Sequence, residues 1–195
     1  MIVGGTGFYL WSFLQGFTFP KLPADAELRG RLKKELDEVG NIQMYEKLEK
    51  CDPAAAEKIH PNDTKRIIRA LEVYEKLGRP ISDVEKGVPA AEKYALHLVG
   101  LTMPRDKLYK RIEERIDQQI ERGLIQEVKE LAARGYGMEL PSMQALGYKE
   151  AMEYIQGGWS KEKMISELKK RTRNFAKRQY VWFRRFPGVE WIEAG

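Results

Sequence analysis

The sequence predicts a helix-rich α/β fold, with a parallel β-sheet core interrupted by an all-helical insertion. Three observations predict it. The chain opens on Met1-Ile2-Val3 running into Gly4-Gly5-Thr6-Gly7, the end of a strand followed by a glycine-rich turn. Residues 94–103 are apolar nearly throughout, the pattern of a strand buried on both faces of a parallel sheet. Residues 189–192 form a third short strand piece, and the long intervals between the three carry helical periodicity.

The elements follow in order. A helical pattern runs from Phe8 to Gln15, with Gly16 as its stop. Residues 17–23 form a proline-bearing connector. Residues 24–39 space Leu28, Leu32 and Leu36 on one helix face; Gly40 ends that helix, and Asn41 caps another reaching Lys50. Pro53 suits the first turn of a short helix to Ile59. Asp63 can N-cap a helix through Leu77, with Gly78 as its C-terminal stop. Pro80-Ile81-Ser82 begins one more turn. After the 94–103 strand, Pro104 fits the start of a long helix through Arg122, and a second runs from Leu124 to Arg134. Residues 147–155 are helical, ended by Gly157-Gly158; Ser160 caps a long helix to about Phe186, stopped by Pro187-Gly188. The domain organisation read from this is a core of residues 1–18 and 90–195, with residues 19–89 as the insertion. Because the sequence opens on the end of a strand, it reads as cropped upstream.

Composition narrows the function classes. The 195 residues are 43% apolar, near the globular average, which excludes a wholly disordered chain. No apolar run approaches the roughly 18 residues of a membrane-spanning helix, and no signal peptide is read at the start. Cys51 is the single cysteine and there are two histidines, so neither a disulfide framework nor a Cys/His zinc site can be built. A soluble, cytoplasmic protein is expected.

The formal charge is +5, with a pI of about 9.1. Its distribution matters more than its size. Residues 160–185 hold ten basic and two acidic side chains and so carry +8, which leaves the rest of the chain at −3. That helix also has an apolar seam of Met164, Leu168, Phe175, Trp182 and Phe186. It buries one stripe and shows a basic face, which reads either as a solvated surface or as a contact for a phosphate backbone. A strand, a glycine-rich turn and a helix start at Gly4–Gly7 offer free N–H groups to an anion, and Thr6 adds a hydroxyl. A plain tight turn would use the same residues, and no Gly-Lys pair of a Walker A loop occurs.

Taken together, several stretches resemble the tRNA dimethylallyltransferases, the bacterial-type isopentenyl transferases acting on tRNA. They are Val3-Gly4-Gly5-Thr6-Gly7-Phe8-Tyr9, Asp52-Pro53, His60-Pro61-Asn62-Asp63 and Arg66-Ile67-Ile68-Arg69-Ala70-Leu71-Glu72-Val73-Tyr74. Further along come Leu108-Tyr109-Lys110-Arg111-Ile112-Glu113-Glu114-Arg115, Gly147-Tyr148-Lys149-Glu150 and Arg173-Asn174-Phe175-Ala176-Lys177-Arg178-Gln179. The resemblance implies a P-loop-NTPase-like core and a helical insertion that closes over the anticodon arm. It implies transfer of a dimethylallyl group from dimethylallyl diphosphate to N6 of the adenosine 3′ of the anticodon, with Mg²⁺ accompanying the diphosphate. No ligand for that ion is identified in this sequence. The family's N-terminal phosphate loop with Lys-Thr, and an Asp general base, have no counterpart here. The chain alone is therefore expected to be inactive, and the full-length protein a monomer.

The resemblance also assigns residues. Thr6 and Arg115 are the expected catalytic pair, and Gly4, Gly5, Thr6 and Arg115 would hold the diphosphate, where a guanidinium fork suits phosphate oxygens. Arg29, Lys65, Arg66 and Arg69 in the insertion would face tRNA. So would Gln144, Tyr148, Lys149, Arg173, Lys177, Arg178 and Gln179. Read without the resemblance, Arg111, Arg115 and Arg122 form a solvated helix face, Tyr148 is equally a core tyrosine, and His60 is a turn residue. Phe8, Tyr9 and Trp11 either wall a prenyl pocket or pack a helix core. Two other readings stand beside the prenyltransferase: a helical RNA-binding module without catalysis, and a piece of a nucleotide kinase.

Overall fold

The computed structural model describes residues 1–17, 22–23, 25–84 and 87–194. The expected domain boundary at residues 18–19 and the expected helix start at Ala24 lie outside the described residues. The chain divides into two compact units, Phe8–Leu96 and Met1–Gly7 with His97–Gly195.

The first unit is helical. Helix α1 spans Gly7–Leu14, with Gly7 itself counted in the other unit, and α2 spans Ala26–Cys51. Asp25 caps α2 by accepting the Leu28 N–H at 2.9 Å. The sequence reading placed two helices here, broken at Gly40. The structure agrees: α2 is two helical segments joined at Gly40, whose φ of 82° and ψ of 172° are not helical. A side chain at that φ would be strained, so glycine is what lets one segment end and the next begin.

Helix α3 (Pro53–Ala56) follows, capped by Asp52, and is shorter than the expected helix to Ile59. Helix α4 (Thr64–Leu77) runs from the Asp63 cap to Gly78 in the left-handed conformation, both as expected. Helix α5 is Ile81–Val84. Asp52 is 1% exposed and ties these pieces together. One oxygen accepts the Ala55 N–H at 2.9 Å and the other the Ser82 N–H at 3.0 Å. The core is Leu32, Met44 and Leu48 of α2 against Ile67, Ile68 and Leu71 of α4. Five of these six are among the largest fully buried side chains, each contributing about 1.5–3 kcal/mol of transfer energy.

The second unit holds the sheet. Strand β1 (Leu98–Thr102) is followed by helices α6 (Arg105–Glu121), α7 (Leu124–Ala133), α8 (Tyr148–Ile155) and α9 (Lys161–Phe183), and by strand β2 (Val189–Glu193). The strands pair in parallel, Leu98 opposite Val189 and Thr102 opposite Glu193. The helix-rich α/β class with a parallel pair is therefore the observed one. Ser160 caps α9 by accepting the Lys163 N–H at 3.2 Å.

Three details differ from expectation. Met1–Val3 is not a strand; it has no paired neighbour among the described residues, and its side chains are at least 60% exposed. A lone extended segment gains no ladder hydrogen bonds, so it is not a strand by itself. The 94–103 run shortens to five residues and is not buried on both faces: Val99 and Leu101 are 49% and 69% exposed. Only the face bearing Gly100 and Thr102 is covered, with Trp191 lying over Gly100 and the Tyr180 hydroxyl donating or accepting at Thr102 Oγ1, 3.4 Å away. Phe175 leaves the seam of α9 and is 40% exposed, while Met164 and Leu168 are buried. The main apolar cluster of this unit is Val128 of α7, Met143, Ala151 and Met152 of α8, and Met164 of α9.

Candidate functional site

The basic helix α9 places its charges on two faces. One packs against α6, with oppositely charged partners across the gap. Arg173 Nη1 donates to Glu113 Oε1 at 2.5 Å, and Lys169 Nζ to Asp117 Oδ2 at 2.7 Å. Tyr109 lies one turn before Glu113. The Arg173 guanidinium sits 5.8 Å from the Tyr109 ring centre, and that of Arg105 5.1 Å from it. Arg105 Nε also donates to the Tyr109 hydroxyl at 3.0 Å. Burial pushes the Tyr109 phenol up, but the Arg105 hydrogen bond and charge, with Lys177 beside it, bring it below its ordinary value of 10.0. Arg105, Tyr109, Arg173 and Lys177 thus form one cationic cluster around an aromatic ring. Such a surface suits a nucleic-acid backbone or base. The sequence assigns no site role to Arg105, Tyr109 or Glu113, although Tyr109 and Glu113 lie within the 108–115 stretch that carries the resemblance. Tyr109 and Glu113 lie 60 or more residues from their α9 partners, and only the α6–α9 packing joins them.

Lys177 and Arg178 are exposed, and the Arg178 guanidinium lies 5.7 Å from the exposed Phe175 ring. Gln179 Nε2 donates to the Gly5 carbonyl at 2.8 Å. Gly7 lies against Trp182, where an added Cβ would stand 2.9 Å from the Trp182 Cβ. That close approach requires glycine at position 7. The glycine-rich turn is therefore seated on the Gln179 and Trp182 side of α9. Gly4, Gly5 and Thr6 themselves are exposed.

Arg115 stands elsewhere. Glu113 and Asp117 face α9, and at about 100° per residue Arg115 falls on the far side of α6. It is exposed, and no acidic partner holds it among the described residues. No hydrogen bond or ion pair joins Arg115 to Thr6 among the described residues. The structure brings Arg173 and Lys177 together with Tyr109, and Gln179 with Gly5, but does not join Thr6 to Arg115.

The remaining expected residues cluster near the start of α8. Gln144 Nε2 donates to the Met138 carbonyl at 3.0 Å. The half-buried Tyr148 donates to Glu127, and this bond, with burial, raises its phenol above 10.0. Lys149 is exposed. Beneath them Glu150 is 1% exposed; it accepts the Gly147 N–H and an Arg171 N–H, both at 2.8 Å.

In the helical unit, Lys65 and Arg66 are exposed at the start of α4, with Arg66 3.4 Å from Asp63. Arg29 and Arg69 both reach the buried Glu72. His60 is a turn residue whose Nδ1 accepts the Asn62 N–H at 3.1 Å. Cys51 Sγ donates to the Leu48 carbonyl, and burial raises its thiol above the ordinary range. Phe8 and Tyr9 are 47% and 70% exposed, so they are not core residues. No group of three or more His, Cys, Asp or Glu side chains gathers among the described residues. None of the described helices is long and apolar enough to cross a membrane.

The family model for IPP transferase matches residues 1–186. The tRNA dimethylallyltransferase of Natranaerobius thermophilus is 47% identical over 193 residues, which are 99% of this chain and 58% of that protein. The tRNA dimethylallyltransferase of Carboxydothermus hydrogenoformans is 48% identical over all of this chain and 63% of its own length. Among solved structures, the full-length tRNA isopentenylpyrophosphate transferase of Bacillus halodurans superposes with a TM-score of 0.57. It is 40% identical, over 96% of this chain and 57% of that one. A eukaryotic dimethylallyltransferase acting on tRNA superposes with a TM-score of 0.73 at 28% identity, over 97% of this chain and 50% of that one. The chain spans about three-fifths of the length of the curated relatives it matches.

Proposed function

Because the chain belongs to the IPP transferase family, we propose that its protein transfers a dimethylallyl group from dimethylallyl diphosphate to N6 of the adenosine 3′ of the tRNA anticodon. Its helix-rich α/β architecture is the P-loop-like fold of that family. The observation that carries the reading is the family match, which runs through both compact units.

The chemistry is substitution at an allylic carbon. N6 attacks, the carbon–oxygen bond to diphosphate breaks, and the N6 proton passes to a base. The protein must hold nucleophile and carbon in line and stabilise the charge growing on diphosphate. The target adenine must leave its stack to reach the site. Arg115, with a guanidinium that no carboxylate holds among the described residues, is suited to the diphosphate oxygens. Thr6 supplies a hydroxyl beside the exposed N–H groups of Gly4 and Gly5. Arg105, Tyr109, Arg173, Lys177 and Arg178 supply a cationic and aromatic surface for the anticodon arm. The protein would work in the cytoplasm, with its tRNA.

A non-catalytic RNA-binding module is the second reading. It is favoured by one observation: the cationic cluster on α6 and α9 is formed, while no hydrogen bond or ion pair joins Thr6 to Arg115 among the described residues. One assay separates the two. The protein, at the length its gene encodes, is incubated with tRNA and dimethylallyl diphosphate, and the tRNA is digested to nucleosides for mass spectrometry. A dimethylallyl adenosine from the anticodon loop is the expected product. Binding of tRNA without that product would leave the RNA-binding module, and absence of both would overturn each reading.

A further inference from the structure

Glu72 sits on the inner face of α4, 1% exposed, and takes hydrogen bonds from two arginines of different helices. Arg29 Nη2 of α2 donates to Oε1 at 3.0 Å and to Oε2 at 2.9 Å. Arg69 Nη1 of α4 donates to Oε2 at 3.0 Å. The two nitrogens meet at one oxygen and so lie within two hydrogen-bond lengths of each other. Burial pushes the Glu72 carboxyl up, but the Arg29 and Arg69 hydrogen bonds outweigh it and leave the group below its ordinary 4.5.

The arginines are not consumed by this contact. Their side chains remain 43% and 39% exposed. Each guanidinium has five N–H donors, and Glu72 uses one nitrogen of each. Neither has a second acidic partner among the described residues. Charge balance for one carboxylate needs one arginine; the second leaves the group at +1, at the surface. Next to it stand Lys65 and Arg66, both exposed. Unlike a free surface arginine, a guanidinium already held at its inner edge has little rotamer freedom left to lose when its outer edge meets an anion.

We propose that Glu72 is a positioning residue that holds Arg29 and Arg69 as a two-pronged grip for a single phosphodiester of the bound RNA. The inference rests on the reading of the protein as one that binds tRNA. Two convergent guanidiniums match the two non-bridging oxygens of a phosphodiester, and charge-assisted N–H···O bonds supply the hold. The grip carries no sequence information; it sets the register of the helical unit on the RNA.

The sign of one substitution tests this. Glu72→Gln keeps the side-chain volume and one acceptor but removes a negative charge from a basic surface. If the arginines acted through charge alone, the variant would bind an anticodon-arm RNA hairpin as tightly as the wild type, or more tightly. Positioning predicts the reverse, about five-fold weaker binding in fluorescence anisotropy. Circular dichroism and a thermal melt confirm that the variant is folded. Should Glu72→Gln fail to fold, Arg29→Lys and Arg69→Lys give the answer, since they keep charge and lose the planar fork. Each is expected to bind about three-fold more weakly, with an unchanged slope of log affinity against log salt. Wild-type affinity in the folded Glu72→Gln protein, or in both lysine variants, would overturn the role of Glu72 and leave the tRNA reading standing. A wild-type protein that does not bind the hairpin would overturn both.

Discussion

Arg171 Nη1 donates to Glu150 Oε1 at 2.8 Å, while the other oxygen of the same carboxylate accepts the Gly147 N–H at 2.8 Å. This one buried group ties α9 to the turn that opens α8, and so fixes where Tyr148 and Lys149 emerge. Arg171 also lies 5.3 Å from the Trp159 ring centre, which steadies its guanidinium.

Removing the cation leaves Glu150 buried without its charge partner. Arg171→Met is expected to destabilise the sheet-bearing unit by about 3 kcal/mol, since an uncompensated buried charge costs more than a lost surface pair. Glu150→Gln keeps one acceptor for the Gly147 N–H and is expected to cost less, about 1–2 kcal/mol. Urea unfolding followed by circular dichroism measures both. Equal losses in the two variants would contradict this assignment.

Acid should act on the helical unit through Glu72. Its folded carboxyl is below the ordinary 4.5, so its contribution is complete above about pH 4.5 and is lost as pH falls through the lower folded value. The melting temperature of the wild type minus that of Glu72→Gln should be constant from pH 7 down to this point and then shrink. A difference that grows on acidification would reverse the sign of the linkage.

The exposed cations of α9 are expected to supply RNA affinity. Lys177→Glu combined with Arg178→Glu should weaken binding to the anticodon-arm hairpin by more than about ten-fold and flatten the salt dependence by about two phosphate contacts. Filter binding across a salt series reads both. Unchanged binding at physiological salt would remove this face from the interface.

Arg115→Ala addresses the diphosphate. Assayed in the protein at the length its gene encodes, it should lower kcat by about 10²-fold or more, with hairpin affinity unchanged. Arg111→Ala, one turn earlier on the same exposed side, should have little effect. A variant at Arg115 with wild-type kinetics would take that residue out of the site.

The amino-acid sequence by itself determined what depends on neighbours along the chain. The Asp63 cap and the Gly78 stop bound α4 correctly because a cap and its helix lie within one turn of each other. Ser160 marks the start of α9 for the same reason, and counting side chains locates the basic helix. The motifs, spread over both units, pointed to the IPP transferase family. The tertiary structure decided what depends on residues far apart. Met1–Val3 has strand composition but no paired partner among the described residues, and pairing makes a strand. Residues 94–103 look like a doubly buried strand, yet Leu101 is 69% exposed because burial belongs to the layers around a strand and not to its own residues. Arg29 and Glu72 are 43 positions apart, and Glu113 and Arg173 60 apart. Periodicity and capping act over a few residues, whereas an ion pair of this kind forms only once packing has set two helices side by side.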